Sequence, residues 1–194
     1  KINNLMNNQK IITISNQKGG VGKTTTAINL ATALAACDQK VLIIDLDPQG
    51  NASTGLGIDY SDRSNSIYEV LSGSMSIESV SHTTSIKNLF IIPSTVELSG
   101  IEPELLDQTN RAYVLKNLLS DDFKNQFDFI FIDCPPALSL LTVMAMTAAD
   151  SVLVPLQCES FALEGLSQLI KTTDRVRKNL NSNLSIDGIV LTMY

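Results

Sequence analysis

The chain has 194 residues, of which 44% are hydrophobic, and its mean hydropathy is +0.13. This length is typical of one folded domain, and the apolar fraction is sufficient for a sizeable core, which excludes a wholly disordered chain. Fourteen Lys and Arg residues against twenty Asp and Glu residues give a formal net charge of −6. The overall field of an acidic chain does not attract nucleic acid, so any DNA contact requires a local basic patch.

The sequence also indicates a compartment. No stretch approaches the roughly 18 uninterrupted apolar residues of a membrane span, and residues 1–9 are polar and lack the hydrophobic core of a signal peptide. The three cysteines, Cys37, Cys134 and Cys158, show no C-x-x-C spacing and are expected to be reduced. We therefore expect a cytoplasmic protein in which residues 1–9 are an N-terminal extension.

Strands and helices alternate along the rest of the chain. Short apolar or β-branched runs predict strands at 11–15, 41–44, 88–92, 127–132, 151–154 and 186–192, and helical segments are predicted at 23–36, 66–72, 76–81, 104–119, 139–147 and 162–180. This alternation predicts an α/β fold with a mainly parallel sheet and helices on both faces. Such a sheet places its working loops beyond the carboxyl ends of the strands. Three of these loops carry unusual residues, namely 16–25, 45–51 and 133–139.

The first loop has the composition of a phosphate-binding loop. Its three glycines lack the Cβ atom that would keep backbone N–H groups away from an anion. The helix that follows directs the positive end of its dipole at the same point. In such a loop Lys23 contacts the β- and γ-phosphates, Thr24 supplies a hydroxyl to Mg²⁺, and Thr25 lies near the α-phosphate. The sequence therefore predicts a site for a nucleoside triphosphate and Mg²⁺.

The other two loops carry carboxylates. Asp45 and Asp47 alternate at the end of a strand, so a period of two predicts that both point to the same side, as Mg²⁺-bound waters and an attacking water require. Asp133 follows a hydrophobic strand, which is the Walker B arrangement, and is predicted to hold the metal through water. Pro135 and Pro136 stiffen the backbone beyond it, where a γ-phosphate is sensed.

These three loops together resemble those of a known family. The phosphate loop has Gln17 where the general pattern has glycine, and Lys18 follows it, so the segment 18–25 (Lys-Gly-Gly-Val-Gly-Lys-Thr-Thr) resembles the deviant Walker A motif of the ParA/MinD group of ATPases. The segments 45–51 (Asp-Leu-Asp-Pro-Gln-Gly-Asn) and 133–139 (Asp-Cys-Pro-Pro-Ala-Leu-Ser) narrow the resemblance to ParA/Soj-type DNA-partitioning ATPases. The similarity runs from about Lys10 to the last residue.

The resemblance implies a P-loop NTPase-like fold and an ATP-dependent switch. In that family ATP drives formation of a homodimer, the dimer binds DNA without sequence preference, and a ParB-type partner stimulates slow hydrolysis, so nucleoid association is expected. Lys18 is expected to act on the nucleotide of the partner subunit. The resemblance assigns nucleotide binding to Lys18, Gly19, Gly20, Val21, Gly22, Lys23, Thr24 and Thr25, catalysis to Lys18, Lys23 and Asp47, and the metal to Thr24, Asp45 and Asp133.

The resemblance also implies that the ATPase domain, residues 10–194, is truncated at its C-terminus. Family members continue beyond the strand that ends in Thr192, Met193 and Tyr194, and the continuation supplies much of the adenine pocket and most basic residues used on DNA. Within this chain, Lys171, Arg175 and Lys178 are spaced by four and three residues and so share one face of the helix 162–180. That face is either an ordinary solvated helix face or a DNA-backbone contact.

Other functions remain open at this point. A MinD-like positioning ATPase requires a membrane-binding amphipathic helix, and the segment 45–51 disfavours it because MinD proteins carry a different sequence there. A nitrogenase-reductase type of electron carrier requires two suitably placed cysteines per subunit, whereas only Cys134 lies near a candidate loop. A carboxylate-activating synthetase on the same fold has no need of Lys18. The cargo, a chromosome, a plasmid or another assembly, is not specified.

Overall fold

A computed structural model describes residues 9–159 and 162–193, so most of the predicted extension 1–9, and Tyr194, lie outside it. The strands are β1 (Lys10–Ile14), β2 (Val41–Asp45), β3 (His82–Thr83), β4 (Leu89–Ile92), β5 (Phe129–Asp133), β6 (Ser151–Gln157) and β7 (Ser185–Thr192). The α-helices are α1 (Lys23–Ala36), α2 (Asn51–Gly55), α3 (Ile67–Leu71), α4 (Ile101–Glu104), α5 (Val114–Leu118), α6 (Asp121–Lys124), α7 (Leu140–Ala148) and α8 (Ala162–Asn179). Short 3₁₀ helices lie at Tyr60–Asp62, Ile77–Val80, Val96–Gly100 and Arg111–Tyr113.

The strands form one sheet in the order β3-β4-β2-β5-β1-β6-β7. All neighbouring pairs are parallel except β3 and β4. In register, Asp133 at the end of β5 lies beside Ile14 of β1 on one side and beside Asp45 of β2 on the other. The three loops singled out in the sequence therefore leave the sheet side by side at the carboxyl ends of neighbouring strands.

Helices cover both faces of this sheet, which confirms the predicted fold class. Successive strand residues alternate between two apolar clusters. One cluster packs the sheet against α1 and α2, where Ala27, Ala31 and Ala35 allow α1 to lie close to the strands. The other packs the sheet against helices α3 to α8. Burial of each large aliphatic side chain stabilises the fold by about 1.5–3 kcal/mol. Within the described parts of the chain, no helix is both long enough and apolar enough to cross a membrane.

Some predicted elements were wrong in detail. The predicted helix 104–119 is instead two helices, because α4 ends at Glu104 and α5 begins at Val114. The residues between them include Thr109 and Asn110, whose side chains compete for backbone hydrogen bonds and disfavour a helix. The predicted helix 76–81 is a 3₁₀ helix over Ile77–Val80. β3 and α2 were not predicted, since two and five residues are too short for a periodic signal.

Candidate functional site

The loop between β1 and α1 is held open toward the edge of the sheet. Gly20 and Gly22 have φ angles of +75° and +84°, which favour glycine, and Gly22 caps the N-terminus of α1. Asn16 is buried and anchors the loop to β6, because its amide Nδ2 donates to the Pro155 carbonyl at 2.7 Å and its Oδ1 accepts from the Lys18 backbone N–H at 3.0 Å. Because the first backbone N–H groups of a helix lack intrahelical partners, the start of α1 offers hydrogen-bond donors to this loop.

A cavity of about 550 Å³ lies on that concave side. It is lined by Gly19, Gly20, Gly22, Lys23, Thr24, Thr25, Ile28, Asn29, Asp47, Gln49, Asn51, Pro136 and Met193. Val21, also predicted to bind nucleotide, is buried behind the loop, where its carbonyl accepts from Thr192 Oγ1 at 2.7 Å and joins the loop to β7. The cavity thus combines residues from all three predicted loops and from the end of β7.

Lys23 is the buried cation of this site. Its Nζ donates to the Lys18 carbonyl at 3.1 Å. Burial lowers the pKa of Lys23, and the nearby carboxylates Asp133 and Asp47 partly oppose that change. Among the described residues the Lys18 carbonyl is its only hydrogen-bond acceptor, so the buried ammonium has donor capacity left for an anion in the cavity.

Thr24 and Asp133 form the candidate metal centre. Thr24 Oγ1 donates to Asp133 Oδ2 at 2.7 Å, whereas Asp133 Oδ1 is buried and has no hydrogen-bond partner among the described residues. Burial, together with the neighbouring Asp45, raises the pKa of Asp133 to about 7, against the hydrogen bond from Thr24. An orphaned carboxylate oxygen beside a hydroxyl fits Mg²⁺ or its bound water, because Mg²⁺ prefers oxygen ligands.

No self-sufficient metal cluster accompanies this pair. In residues 9–159 and 162–193, no group of three or more His, Cys, Asp or Glu side chains is arranged to hold a metal ion. The residues present fit a Mg²⁺ ion that takes its remaining ligands from phosphate oxygens and water, as is usual in nucleotide sites.

The prediction that Asp45 and Asp47 point to the same side is wrong. Asp47 lines the cavity, and its Oδ1 accepts from the Gln49 backbone N–H at 3.0 Å. Asp45 is fully buried and does not line the cavity, because its Oδ2 accepts from Ser53 N–H at 2.9 Å and Ser53 Oγ at 2.7 Å. β2 ends at Asp45, so the two-residue alternation of a strand does not extend to Asp47.

The surroundings of Asp45 differ from those of a solvated metal ligand. Burial raises the pKa of Asp45 to about 6, against hydrogen bonds from Ser53 and from the Asp47 backbone N–H, which lies 3.1 Å from Oδ1. This carboxylate ties α2 to the end of β2.

Lys18 lies on the outside of the phosphate loop. Its side chain forms an ion pair with Glu159 and lines a second depression, of about 470 Å³, together with Pro136 and Gly165. Gln17 packs closely against Gly165, since a Cβ atom at Gly165 would lie 3.2 Å from Gln17 Nε2. The two lysines of the loop therefore point in different directions, Lys23 inward and Lys18 outward.

The predicted basic patch is exposed on α8. Lys171, Arg175 and Lys178 are all solvent-exposed, and the first two line a shallow depression of about 350 Å³ with Leu138 of the loop after β5. Arg177, the neighbouring cation, is engaged locally instead, with Asp174 and the Leu184 carbonyl. The patch is separate from the cavity.

Sequence reasoning missed several residues around the site. Gln49, Asn51 and Met193 line the cavity, and Glu159 pairs with Lys18. Arg63 is buried beneath the loop after β2. The positions of Gln49 and Asn51 in the loop 45–51 and of Met193 in the closing segment offered a signal, whereas Glu159 and Arg63 lie outside these motifs.

The fold and site define a P-loop nucleotide-binding protein. A family model described as "AAA domain" matches residues 9–186. The chain is 54% identical over 186 residues to chromosome partitioning protein ParA of Caulobacter vibrioides, covering 95% of this chain and 70% of that protein. It is 50% identical over 184 residues to sporulation initiation inhibitor protein Soj of Bacillus subtilis, covering 95% of this chain and 72% of that protein. The chain belongs to the ParA/Soj family of P-loop partitioning ATPases.

Solved structures of similar fold include nucleotide-bound proteins. Cobyrinic acid a,c-diamide synthase from Mycobacterium smegmatis, with bound ADP and magnesium, superposes with a TM-score of 0.92 at 37% identity, covering 96% of this chain and 76% of that one. A putative plasmid partition protein from Borrelia burgdorferi bound to AMPPNP gives 0.82 at 34% identity, covering 96% and 75%. The Cyanothece McdA(D38A)–ATP complex gives 0.88 at 29% identity, covering 94% and 70%.

Proposed function

We propose that this protein is an ATP-driven partitioning switch. It binds Mg-ATP, forms a face-to-face homodimer, engages DNA without sequence preference as that dimer, and releases it after slow hydrolysis stimulated by a ParB-type partner. The observation that carries the proposal is the opposite orientation of two lysines in one loop, with Lys23 in the cavity and Lys18 outside it. Lys23 binds the nucleotide held by its own subunit, and Lys18 binds the nucleotide held by the partner subunit.

The cavity residues perform the binding. Backbone N–H groups of the loop and the start of α1 hold the phosphates, and Lys23 donates to the β- and γ-phosphate oxygens in place of the Lys18 carbonyl. Thr24 and Asp133 hold Mg²⁺, which neutralises phosphate charge when bound. Names of similar structures support this choice of ligand, since they include ADP with magnesium, ATP and AMPPNP.

Asp47 is the residue proposed to orient the attacking water. It lines the cavity together with the phosphate loop, and within the described residues its side chain accepts a hydrogen bond only at Oδ1, from Gln49, which leaves its second oxygen available. Asp45 supports the metal site from behind by fixing α2 and the Asp47 backbone, not by facing the cavity. Catalysis in phosphoryl transfer consists mainly of such positioning together with electrostatic stabilisation.

Dimerisation reconciles DNA binding with an acidic chain. The formal charge of −6 opposes attraction to phosphate, but α8 presents Lys171, Arg175 and Lys178 to solvent. Two such patches on one dimer bind a single duplex with the gain of a bivalent contact. The expected cellular location is the cytoplasm, in association with the nucleoid, and the relatives' names favour a chromosome as cargo.

A synthetase is the second candidate function. The structural neighbour named cobyrinic acid a,c-diamide synthase favours it, at 37% identity. The 54% identity to a partitioning protein and the outward Lys18, which a synthetase does not need, favour the switch. ATP-dependent amidation of a corrinoid carboxylate by the purified protein would support the synthetase instead.

Two variants test the switch. Lys18→Ala is expected to bind ATP as a monomer and neither dimerise nor hydrolyse it, whereas Asp47→Ala is expected to accumulate as an ATP-bound dimer whose hydrolysis falls to a residual rate. Size-exclusion chromatography with light scattering, with and without Mg-ATP, reads out both, and Lys23→Ala serves as the control that does not bind nucleotide. Normal dimerisation of Lys18→Ala, or hydrolysis by Asp47→Ala at the parent rate, would refute the mechanism.

A further inference from the structure

Arg63 is a buried cation beneath the loop that carries Asp47. Its side chain is 5% exposed, and it follows the 3₁₀ helix Tyr60–Asp62. The guanidinium donates to backbone carbonyls on both sides of α2. Nη1 donates to the Gly50 carbonyl at 3.2 Å and the Ser94 carbonyl at 3.4 Å, Nη2 to the Ile58 carbonyl at 2.6 Å and Thr54 Oγ1 at 2.8 Å, and Nε to the Ile58 carbonyl at 3.1 Å.

All of these acceptors are neutral. Within the described parts of the chain, no carboxylate forms an ion pair with Arg63. Burying a charge without an opposite charge is costly, and an apolar side chain fills such a space at lower cost. Filling this space therefore does not require a guanidinium. Linking several separate carbonyls does, because the guanidinium offers five donors in a fixed fork.

The bonds of Arg63 close a ring that passes through both aspartates of the loop. Asp47 N–H donates to Asp45 Oδ1 at 3.1 Å, and Asp45 Oδ2 accepts from Ser53 Oγ at 2.7 Å. Ser53 Oγ in turn accepts from Ser94 N–H at 3.0 Å, and the Ser94 carbonyl accepts from Arg63.

The second half of the ring returns from Arg63 to Asp47. Arg63 donates to the Gly50 carbonyl, and Gly50 N–H donates to the Asp47 carbonyl at 2.9 Å. The approach is close, because a Cβ at Gly50 would lie 2.4 Å from Arg63 Nη1 and 2.9 Å from the Ser94 carbonyl. The Asp47 backbone is thus fixed from both of its peptide groups.

We propose that Arg63 is a positioning residue for ATP hydrolysis, acting through Gly50 on the carboxylate of Asp47. The inference rests on the proposed role of Asp47 in orienting water. The Arg63 contacts lie behind the loop and α2, away from the phosphate loop, so the residue sets the geometry of hydrolysis without contacting nucleotide. Lysine cannot replace it, because a single ammonium does not reach the Gly50, Ser94 and Ile58 carbonyls in the fixed fork geometry.

The test compares Arg63→Lys with the parent protein under Mg-ATP. We expect the kcat for ATP hydrolysis to fall about 10- to 100-fold, the loss typical of a misplaced catalytic group, while KM and nucleotide affinity change less than about twofold. Arg111→Lys is the matched control, since that guanidinium binds a single carbonyl, that of Leu106, far from the loop. Circular dichroism at the assay temperature confirms that each variant is folded.

A second variant covers the case in which Arg63→Lys does not fold. Thr54→Val removes one acceptor of Arg63 and keeps the cation, and it is expected to lower kcat in the same direction by a smaller factor. In the Asp47→Ala background, where radiolabelled ATP detects residual hydrolysis, either variant should cause no additional loss, because the two residues act through one geometry.

The outcomes separate this inference from the proposed function. A parent protein that hydrolyses no ATP contradicts the switch itself. A parent that does hydrolyse ATP, with a folded Arg63→Lys or Thr54→Val variant at the parent kcat, overturns only the role of Arg63. A loss of equal size with and without Asp47 also overturns it, because the arginine then acts elsewhere.

Discussion

Lys18 is held by a carboxylate of its own chain, since its ammonium forms an ion pair with Glu159 at the end of the β6 segment. Both side chains are partly solvent-exposed, with 40% of Lys18 and 46% of Glu159 accessible. Solvent-screened pairs of this kind contribute only about 0–1 kcal/mol. The contact therefore competes weakly with the phosphates of a partner's nucleotide, and Lys18 is easily released.

The first prediction concerns that competition. Glu159→Gln frees Lys18 and is expected to shift ATP-dependent dimerisation to lower protein concentrations, by a factor of up to about five, which corresponds to about 1 kcal/mol. Light scattering over a concentration series measures the shift. Glu78→Gln, an exposed and remote change of the same charge, is the control. A midpoint unchanged from that of the control would show that Glu159 does not restrain Lys18.

The second prediction separates stability from metal binding at Asp133. Burial and the neighbouring Asp45 disfavour the charged form of this carboxylate, whose Oδ1 has no partner. In EDTA and without nucleotide at pH 8, Asp133→Asn is therefore expected to raise Tm by about 2–8 °C, since the free energy of unfolding gains on the order of 1–2 kcal/mol.

With Mg-ATP, the order of the Tm values of the parent and Asp133→Asn should be reversed. Mg-ATP is expected to raise the Tm of the parent but not that of Asp133→Asn, because the amide is a poor ligand for the metal. The exposed substitution Asp107→Asn is the control for loss of one negative charge. An unchanged or lower Tm of the metal-free Asp133→Asn variant would mean that the buried charge is not a source of strain.

Some of this site was predictable from sequence, and some was not. The phosphate loop was predictable because glycines, a lysine and hydroxyls follow one another without a gap, so local chemistry fixes their joint position. The position of Asp133 was predictable because this residue ends a hydrophobic strand. It lies in register beside Ile14 and Asp45. The orientation of Asp45 was not predictable, because it depends on where β2 ends and on Ser53 of a five-residue helix.

Arg63 and Glu159 illustrate a different limit. Each contacts the site only through tertiary packing, at 13 residues from Gly50 and 141 residues from Lys18. Neither the hydrophobic periodicity of the sequence nor a local motif predicts such a contact. The fold class, by contrast, depends on the many apolar runs that alternate with helices, and an error in a single helix such as 104–119 did not alter it.

The third prediction concerns pH and the attachment of β7. Lys10 Nζ donates to Asp187 at 2.8 Å, and Ser151 Oγ donates to the same carboxylate at 2.7 Å. Partial burial alone would raise the pKa of Asp187, but these hydrogen bonds outweigh it and hold the pKa below its usual value. A carboxylate with a lowered folded-state pKa stabilises the fold above its unfolded pKa, about 4, and loses that contribution as pH falls through the folded value.

Asp187→Asn should therefore lower the free energy of unfolding by up to about 1 kcal/mol at pH 7, and the difference from the parent should be smaller at a pH below the unfolded value of about 4. Urea unfolding at the two pH values measures it. Lys10→Gln removes the same ion pair from the other side, so the double variant should cost no more than Asp187→Asn alone. A difference that is independent of pH would assign the effect to packing.

The last prediction tests the basic patch on α8. If Lys171, Arg175 and Lys178 contact DNA phosphates in the ATP dimer, reversing all three to Glu should weaken ATP-dependent binding and flatten its dependence on salt, while ATP affinity stays unchanged. Each lost phosphate contact reduces the slope of log K against log salt by about 0.9, so the six contacts of a dimer with two patches reduce it by up to about 5.4. The control reverses Lys87, Lys116 and Lys124, which lie outside α8 and change the net charge by the same amount. Fluorescence anisotropy with random-sequence duplex over a salt series measures both slopes. Because long-range repulsion is equal in the two triple variants, only a direct contact makes the α8 variant flatter than the control. Equal slopes would assign this face to solvent.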